Sequence, residues 1–179
     1  FRTNKYVMDE LIDWTNVPND PIFNLVFPRS GMLEEEEFNQ VRDLVRCQAE
    51  KAEINAAVER IRNRLNPHPA GQMTHNVPHV DGEPIPGLQH KYRETVLFFP
   101  AHGQTCHAYC TFCFRWAQFI GDEDLKFANK EVDQLVRYLR QHQEVTDVLF
   151  TGGDPMVMKA KVLERYIRPI LEDPELEHI

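Results

Sequence analysis

The sequence has 179 residues, 42% of them hydrophobic, with 20 Lys+Arg against 28 Asp+Glu and a formal net charge of −8. That length and apolar content suit one ordinary folded domain or slightly more and exclude wholesale disorder. No apolar run approaches the ~20 residues of a membrane span, no signal-peptide pattern opens the chain, and the acidic balance argues against binding nucleic acid through its backbone. The chain opens on Phe1 and closes on Ile179 in what reads as the start of a strand, so a piece of a longer protein is expected.

Two regions of different character follow in order, 1–90 and 91–179. The first begins with a short amphipathic segment, Tyr6 to Trp14, and a stretch punctuated by Pro18, Pro21 and Pro28. Helical spacing of Phe38, Val41, Leu44 and Val45, and again of Val58, Ile61 and Leu65, predicts a long helical region over about Leu33 to Leu65. Glu34 to Glu37 lie in its first turn, where negative charge favours the helix dipole, and read as a solvated helix start. Residues 66–90 hold five of the 12 prolines together with Gly71, Gly82 and Gly87, a composition that predicts an extended connector. His68, His75, His79 and His90 lie in or beside it without helical i, i+4 spacing, and read as surface or locally hydrogen-bonded side chains.

From Thr95 the periodicity changes. Thr95 to Phe99 is a short continuous apolar run suited to a strand buried on both faces. Asn129 is placed to cap a helix whose apolar face is Val132, Leu135, Val136 and Leu139. Val145 to Phe150 reads as a second buried strand ending in Gly152-Gly153. Val162 to Leu171 forms a second helical stripe, with Pro169 expected to kink it or tighten its last turns. Pro174 closes that unit, and Glu177 to Ile179 would start a third strand. The alternation of strand and helix predicts an α/β fold with parallel strands.

Of the four cysteines, Cys47 sits alone in the charged helical stretch, while Cys106, Cys110 and Cys113 form a CxxxCxxC loop. Such close cysteines are hard to join by disulfides without strain and read as metal ligands in a reducing compartment. Two centres are open at this point. Three thiolates suit three irons of a 4Fe–4S cubane with the fourth iron free, whereas His102 or His107 could complete a Cys3His zinc site. The loop follows the first strand and Gly152-Gly153-Asp154-Pro155 follows the second, so in a parallel sheet both reach the C-terminal edge, where α/β barrels place their chemistry.

CxxxCxxC after one strand and Gly-Gly-acidic after the next resembles the radical S-adenosylmethionine (SAM) superfamily. Asn19-Asp20-Pro21-Ile22-Phe23, Phe27-Pro28, Gly31-Met32-Leu33, Pro86 to Tyr92, and Thr151 to Pro155 resemble, in order, its lysine 2,3-aminomutase-like branch. The implied fold is an N-terminal helical segment and Pro-rich connector (1–90) followed by the first two βα units of a partial radical SAM barrel (91–179), truncated at its C-terminus. The resemblance implies that Cys106, Cys110 and Cys113 ligate a 4Fe–4S cluster and that Gly152, Gly153 and Asp154 contact the methionyl ammonium of SAM. It further implies that Phe112 packs near adenine and that Arg115 pairs with a substrate carboxylate, for which an arginine fork is well matched.

By the same resemblance the reaction is an amino-acid 2,3-aminomutase-like isomerisation in a cytoplasmic enzyme, supplied with electrons by a flavodoxin or ferredoxin. A homo-oligomer is compatible with it. Pyridoxal phosphate (PLP) enters by family analogy alone. Its lysine would lie beyond Ile179, and neither Lys159 nor Lys161 qualifies as its anchor. Lysine aminomutases commonly continue the cysteine loop with several arginines. Here Arg115 is followed by Trp116, Ala117, Gln118 and Phe119, which puts lysine in doubt as the substrate. A radical SAM enzyme of another reaction type and a non-catalytic, zinc-stabilised binding module remain as alternatives. The 179 residues alone are not expected to turn over.

Overall fold

The computed structural model describes residues 3–65, 71–107, 110–111, 113, 115 and 127–179. The chain divides into two compact units, Phe1–Pro67 with Ala108–Phe114, and His68–His107 with Arg115–Ile179.

The first unit is helical. Val7–Leu11 forms a π-helical turn and Trp14–Asn16 a 3-10 turn. Helix α1, Pro21–Val26, is capped by the buried Asp20, whose Oδ1 accepts from the Phe23 amide at 2.7 Å. Phe23 and Phe27 stack at 4.9 Å between centroids, and Trp14 meets both edge-on. The single long helix expected over Leu33 to Leu65 is instead two, α2 (Glu35–Arg46) and α3 (Lys51–Leu65). The break is a Schellman turn. Gln48 takes a left-handed φ of 55°, its amide bonds the Val45 carbonyl at 3.2 Å, and the Ala49 amide bonds the Leu44 carbonyl at 3.0 Å. Cys47 is therefore the exposed cap residue of α2 rather than a residue inside a helix. Periodicity is blind to such a break, because both sides keep the same 3.6-residue repeat. The Glu37 carboxylate pairs with the Arg64 guanidinium, so α3 folds back along α2.

The second unit contains the sheet. Helix α4 (Gly71–Thr74) precedes a hairpin of β1 (His79–Val80) and β2 (Glu83–Pro84), turned by Asp81 and Gly82, both at positive φ. Strand β3 (Leu88–His90) runs antiparallel to β4 (Thr95–Phe98), which runs parallel to β5 (Asp147–Phe150), in the order β3-β4-β5. The expected extended connector thus contains a hairpin and a full sheet strand. Among the described residues of the connector the prolines are Pro78, Pro84 and Pro86, and all three precede β3 rather than interrupt it.

Helix α5 (Val132–Arg140) links β4 to β5, and α6 (Ala160–Leu171) follows β5, running through Pro169 to its end. Val96 and Phe98, both fully buried, pack with Leu135, Leu139, Val145, Tyr166 and Ile170 into one core. The expected burial of the strands on both faces is only half realised. Both helices cover the same face, which leaves Thr95 and Leu97 half-buried and Leu149 of β5 53% exposed. Asn129 does not cap α5, whose cap position is Glu131. It is buried beside the end of β4, its amide donating to the Phe99 carbonyl and its carbonyl accepting from Ala101, each at 2.8 Å. Glu177 to Ile179 form no strand. The Ile179 amide bonds the Leu176 carbonyl at 3.1 Å, closing a turn. No helix among the described residues is long and apolar enough to cross a membrane.

Candidate functional site

The parallel pairing of β4 and β5 sends both following segments off the same edge of the sheet. After β4 the chain passes Phe99, Pro100 and a 3-10 turn, Ala101–Gly103, to reach Gln104, Thr105 and Cys106. After β5 it passes Thr151, Gly152 and Gly153 to Asp154, which opens a 3-10 turn, Pro155–Val157. The segments are stitched together by main-chain hydrogen bonds. Thr151 donates to the Phe98 carbonyl at 2.9 Å and Asp154 to the Thr105 carbonyl at 2.6 Å. Gln104 Nε2 donates to the carbonyls of Pro100 at 2.9 Å and Thr151 at 3.4 Å.

This contact explains the paired glycines. Gly152 has φ +121°, and a Cβ there would collide with the Gln104 side-chain amide. A Cβ on Gly153 would fall on the Thr105 carbonyl. The close approach that the glycines permit is to the chain's own residues 104–105.

Asp154 is half-buried. Its Oδ1 accepts from the Met156 amide at 2.9 Å, and its Oδ2 lies 4.0 Å from His107 Nε2. His102 Nδ1 lies 2.7 Å from the Tyr166 hydroxyl of α6, and burial pushes the Tyr166 phenol above its ordinary pKa.

Arg115 sits at the same sheet edge. Its guanidinium carbon is 4.3 Å from the centroid of the Phe99 ring, and its Nη2 donates to Gln89 Oε1 at 3.3 Å. Gln89 lies in the stretch that the sequence presents as a connector, and Phe99 in its apolar run. Sequence reasoning missed them for that reason.

Cys106 belongs to the second unit and Cys110 and Cys113 to the first; each of the three is half-buried. The Cys113 amide bonds the Cys110 carbonyl at 3.0 Å. Between them Thr111 anchors the loop to the end of α1, its amide donating to the Leu25 carbonyl at 2.8 Å and its hydroxyl to the Asn24 carbonyl at 3.0 Å. These late-helix carbonyls lack partners within so short a helix, which makes them available to the loop. Among the described residues no group of three or more His, Cys, Asp or Glu is gathered as a metal-holding set. As a donor set, three half-buried thiols are soft ligands whose chemistry fits an iron–sulfur cluster. Phe112 lies outside the described residues, as do Trp116 to Phe119.

Comparison with known proteins agrees with this chemistry. The family of 4Fe-4S single cluster domains matches residues 93–177. A protein of Aquifex aeolicus carrying the provisional name L-lysine 2,3-aminomutase is 30% identical over 176 residues, 98% of this chain and 36% of that relative. The L-lysine 2,3-aminomutases of Acetoanaerobium sticklandii and Bacillus subtilis are 35% and 32% identical over 56% and 55% of this chain, and 24% and 20% of their own lengths. The chain thus spans about a third of the Aquifex relative's length, or less for the others. Motif order, the iron–sulfur match and this breadth of similarity place the chain in the lysine 2,3-aminomutase-like family of radical SAM proteins.

Proposed function

We propose that the chain is the cluster- and SAM-binding portion of a radical SAM enzyme catalysing an aminomutase-like isomerisation of an amino acid. The observation that carries the reading is the docking of Gly153-Asp154 on Thr105, the residue before Cys106, with Arg115 over Phe99 at the same sheet edge. In this reading Cys106, Cys110 and Cys113 bind the cluster as thiolates. Gly152, Gly153 and Asp154 orient the methionyl ammonium of SAM, the Asp154 carboxylate supplying the negative charge a cation needs. Arg115 binds the carboxylate of the amino acid through its fork. Phe99 backs that fork with apolar surface and excludes water from it. When bound, the cluster and SAM supply one-electron cleavage of the sulfonium, chemistry that no protein side chain provides. PLP enters by family analogy, and no residue of this chain is assigned to it.

The test is anaerobic reconstitution of the full-length protein with iron and sulfide. Iron and sulfide in cluster stoichiometry, and 5′-deoxyadenosine on adding reductant and SAM, are expected. One tightly held zinc, without sulfide or colour, would overturn the reading in favour of a zinc-stabilised module.

A further inference from the structure

Phe27-Pro28 and the short helix before it, α1, have no part in the proposed function. Together they leave two carbonyls at the end of α1 without helical donors. A helical carbonyl accepts from the amide four residues on. For Asn24 that residue is Pro28, which has no N–H. For Leu25 it is Arg29, whose amide instead meets Met32 Sδ at 3.4 Å. One residue of the cysteine loop takes up both carbonyls. The Thr111 hydroxyl donates to Asn24 at 3.0 Å and the Thr111 amide to Leu25 at 2.8 Å.

The turn around Thr111 equips it for this. The Cys113 amide closes on the Cys110 carbonyl at 3.0 Å, a four-residue turn with Thr111 in its second position. The closing bond does not involve the Thr111 amide, which is left for an acceptor outside the turn. The support on the other side is firm. A helix of six residues is marginal by itself in water, and α1 is held at both ends. Asp20 caps its start, Asn24 Nδ2 donates back to the Pro18 and Asp20 carbonyls at 2.9 and 3.0 Å, and Phe23 stacks on Phe27 at its close.

We propose that Thr111 is a positioning residue for the cluster, with the end of α1 as its support. Two bonds onto successive carbonyls fix the main chain that carries Cys110 and Cys113. The loop is thereby ordered before iron arrives, and cluster binding does not bear that entropy cost. Both cysteines, Thr111 and α1 belong to the same compact unit. The inference rests on the reading of Cys110 and Cys113 as cluster ligands.

The test is the anaerobic rate at which bathophenanthroline disulfonate strips iron from the reconstituted full-length protein, read beside the EPR spectrum of the reduced cluster. Thr111→Val keeps the side-chain shape and the amide bond but removes the hydroxyl. It should speed iron release about fivefold, the scale of one lost hydrogen bond, and broaden the EPR spectrum. Thr111→Ser keeps the hydroxyl and should match the parent in both readouts, a rescue that a merely space-filling role for residue 111 would not give. Thr15→Val removes a different hydroxyl bond of the same unit, the one to Asp13 Oδ1, and should leave iron release unchanged.

Three results would overturn the positioning role alone while the parent holds its cluster: release from the Val variant at the parent rate, release from the Ser variant as fast as from Val, or equal acceleration by Thr15→Val. A reconstituted parent without iron and sulfide would instead sink the reading of the cysteines, and the inference with it.

Discussion

The Asp154 amide and the Thr105 carbonyl are joined by a 2.6 Å hydrogen bond, which ties the turn after β5 to the residue that precedes Cys106. Because the bond runs from main chain to main chain, it does not depend on the Asp154 side chain. It depends on Gly153, where any Cβ would occupy the space of the Thr105 carbonyl. Backbone and carboxylate of the same motif therefore have separable roles. The first sets where the chain enters the cysteine loop, and in the proposed function the second offers charge to a ligand.

Gly153→Ala should break that docking. The obstructing atom is backbone and cannot swing aside as the end of a flexible side chain would, so a loss of ~2 kcal/mol or more is expected. Thermal unfolding should show a lower Tm, and the reconstituted protein should retain less iron. Asp154→Ala keeps the main-chain bond and should retain iron while losing SAM affinity in equilibrium dialysis. Equal iron loss from both substitutions would assign the carboxylate to loop support and remove it from the SAM site.

Replacement of Cys106, Cys110 or Cys113 by Ala should in each case abolish stable cluster binding, since three ligands leave none to spare. Cys47→Ala, at the exposed cap of α2, should leave iron content unchanged. Iron analysis after anaerobic desalting checks this, and equal losses from all four variants would contradict the ligand assignment.

The two faces of the sheet should respond differently to truncation. Phe98 is fully buried and meets Phe150 and Tyr166, each at 5.6 Å between centroids. Phe98→Ala should cost ~3–5 kcal/mol through lost burial and the cavity left behind. Leu149→Ala, on the exposed face of β5, should stay within about 0.5 kcal/mol. Urea unfolding measures both, and comparable losses would show that Leu149 is covered in solution.

Acid should weaken the end of α6 through Asp173. Its side chain is buried, pairs with Arg140 Nε at 2.8 Å and accepts from the Glu175 amide at 3.0 Å. Burial by itself would raise this carboxyl, but the Glu175 amide and the Arg140 guanidinium outweigh it and hold the pKa below the usual value. The folded state thus takes up this proton less readily than the unfolded chain. The stabilisation is present above the ordinary carboxylate pKa of ~3.9 and is lost as pH falls through the lower folded value. Thermal melts carried from neutral to acid pH should fall more steeply for the parent protein than for Asp173→Asn, and identical acid limbs would dismiss Asp173 as a contributor.

The elements that were legible in the sequence are those whose residues solve their packing problem locally. Val132, Leu135, Val136 and Leu139 present one apolar stripe, and α5 forms on it. Asp147 to Phe150 carry a strand that pairs in parallel with β4, as the strand–helix–strand order predicts. Where expectation and structure part, a single residue decides against the surrounding pattern. Gln48, in a left-handed conformation, splits one predicted helix into two. Asn129 looks like a cap and instead bonds the Phe99 and Ala101 backbones across a parallel bridge. Leu88 to His90, hidden among prolines, pairs with β4 because that strand offers it an open edge.

By itself the sequence determined the chemistry on offer: a loop of three thiols, a glycine pair followed by a carboxylate, and one arginine after the last cysteine. Those follow from residue identity and spacing along the chain. Only the tertiary structure decided which groups meet. Parallel pairing of β4 with β5 carries Gly153 and Asp154 onto Thr105, and antiparallel pairing of β3 with β4 carries Gln89 to Arg115. Contacts of this kind join residues far apart in sequence. No local periodicity encodes them, because what selects them is the burial of one shared core by strands and helices that each lack a partner on their own.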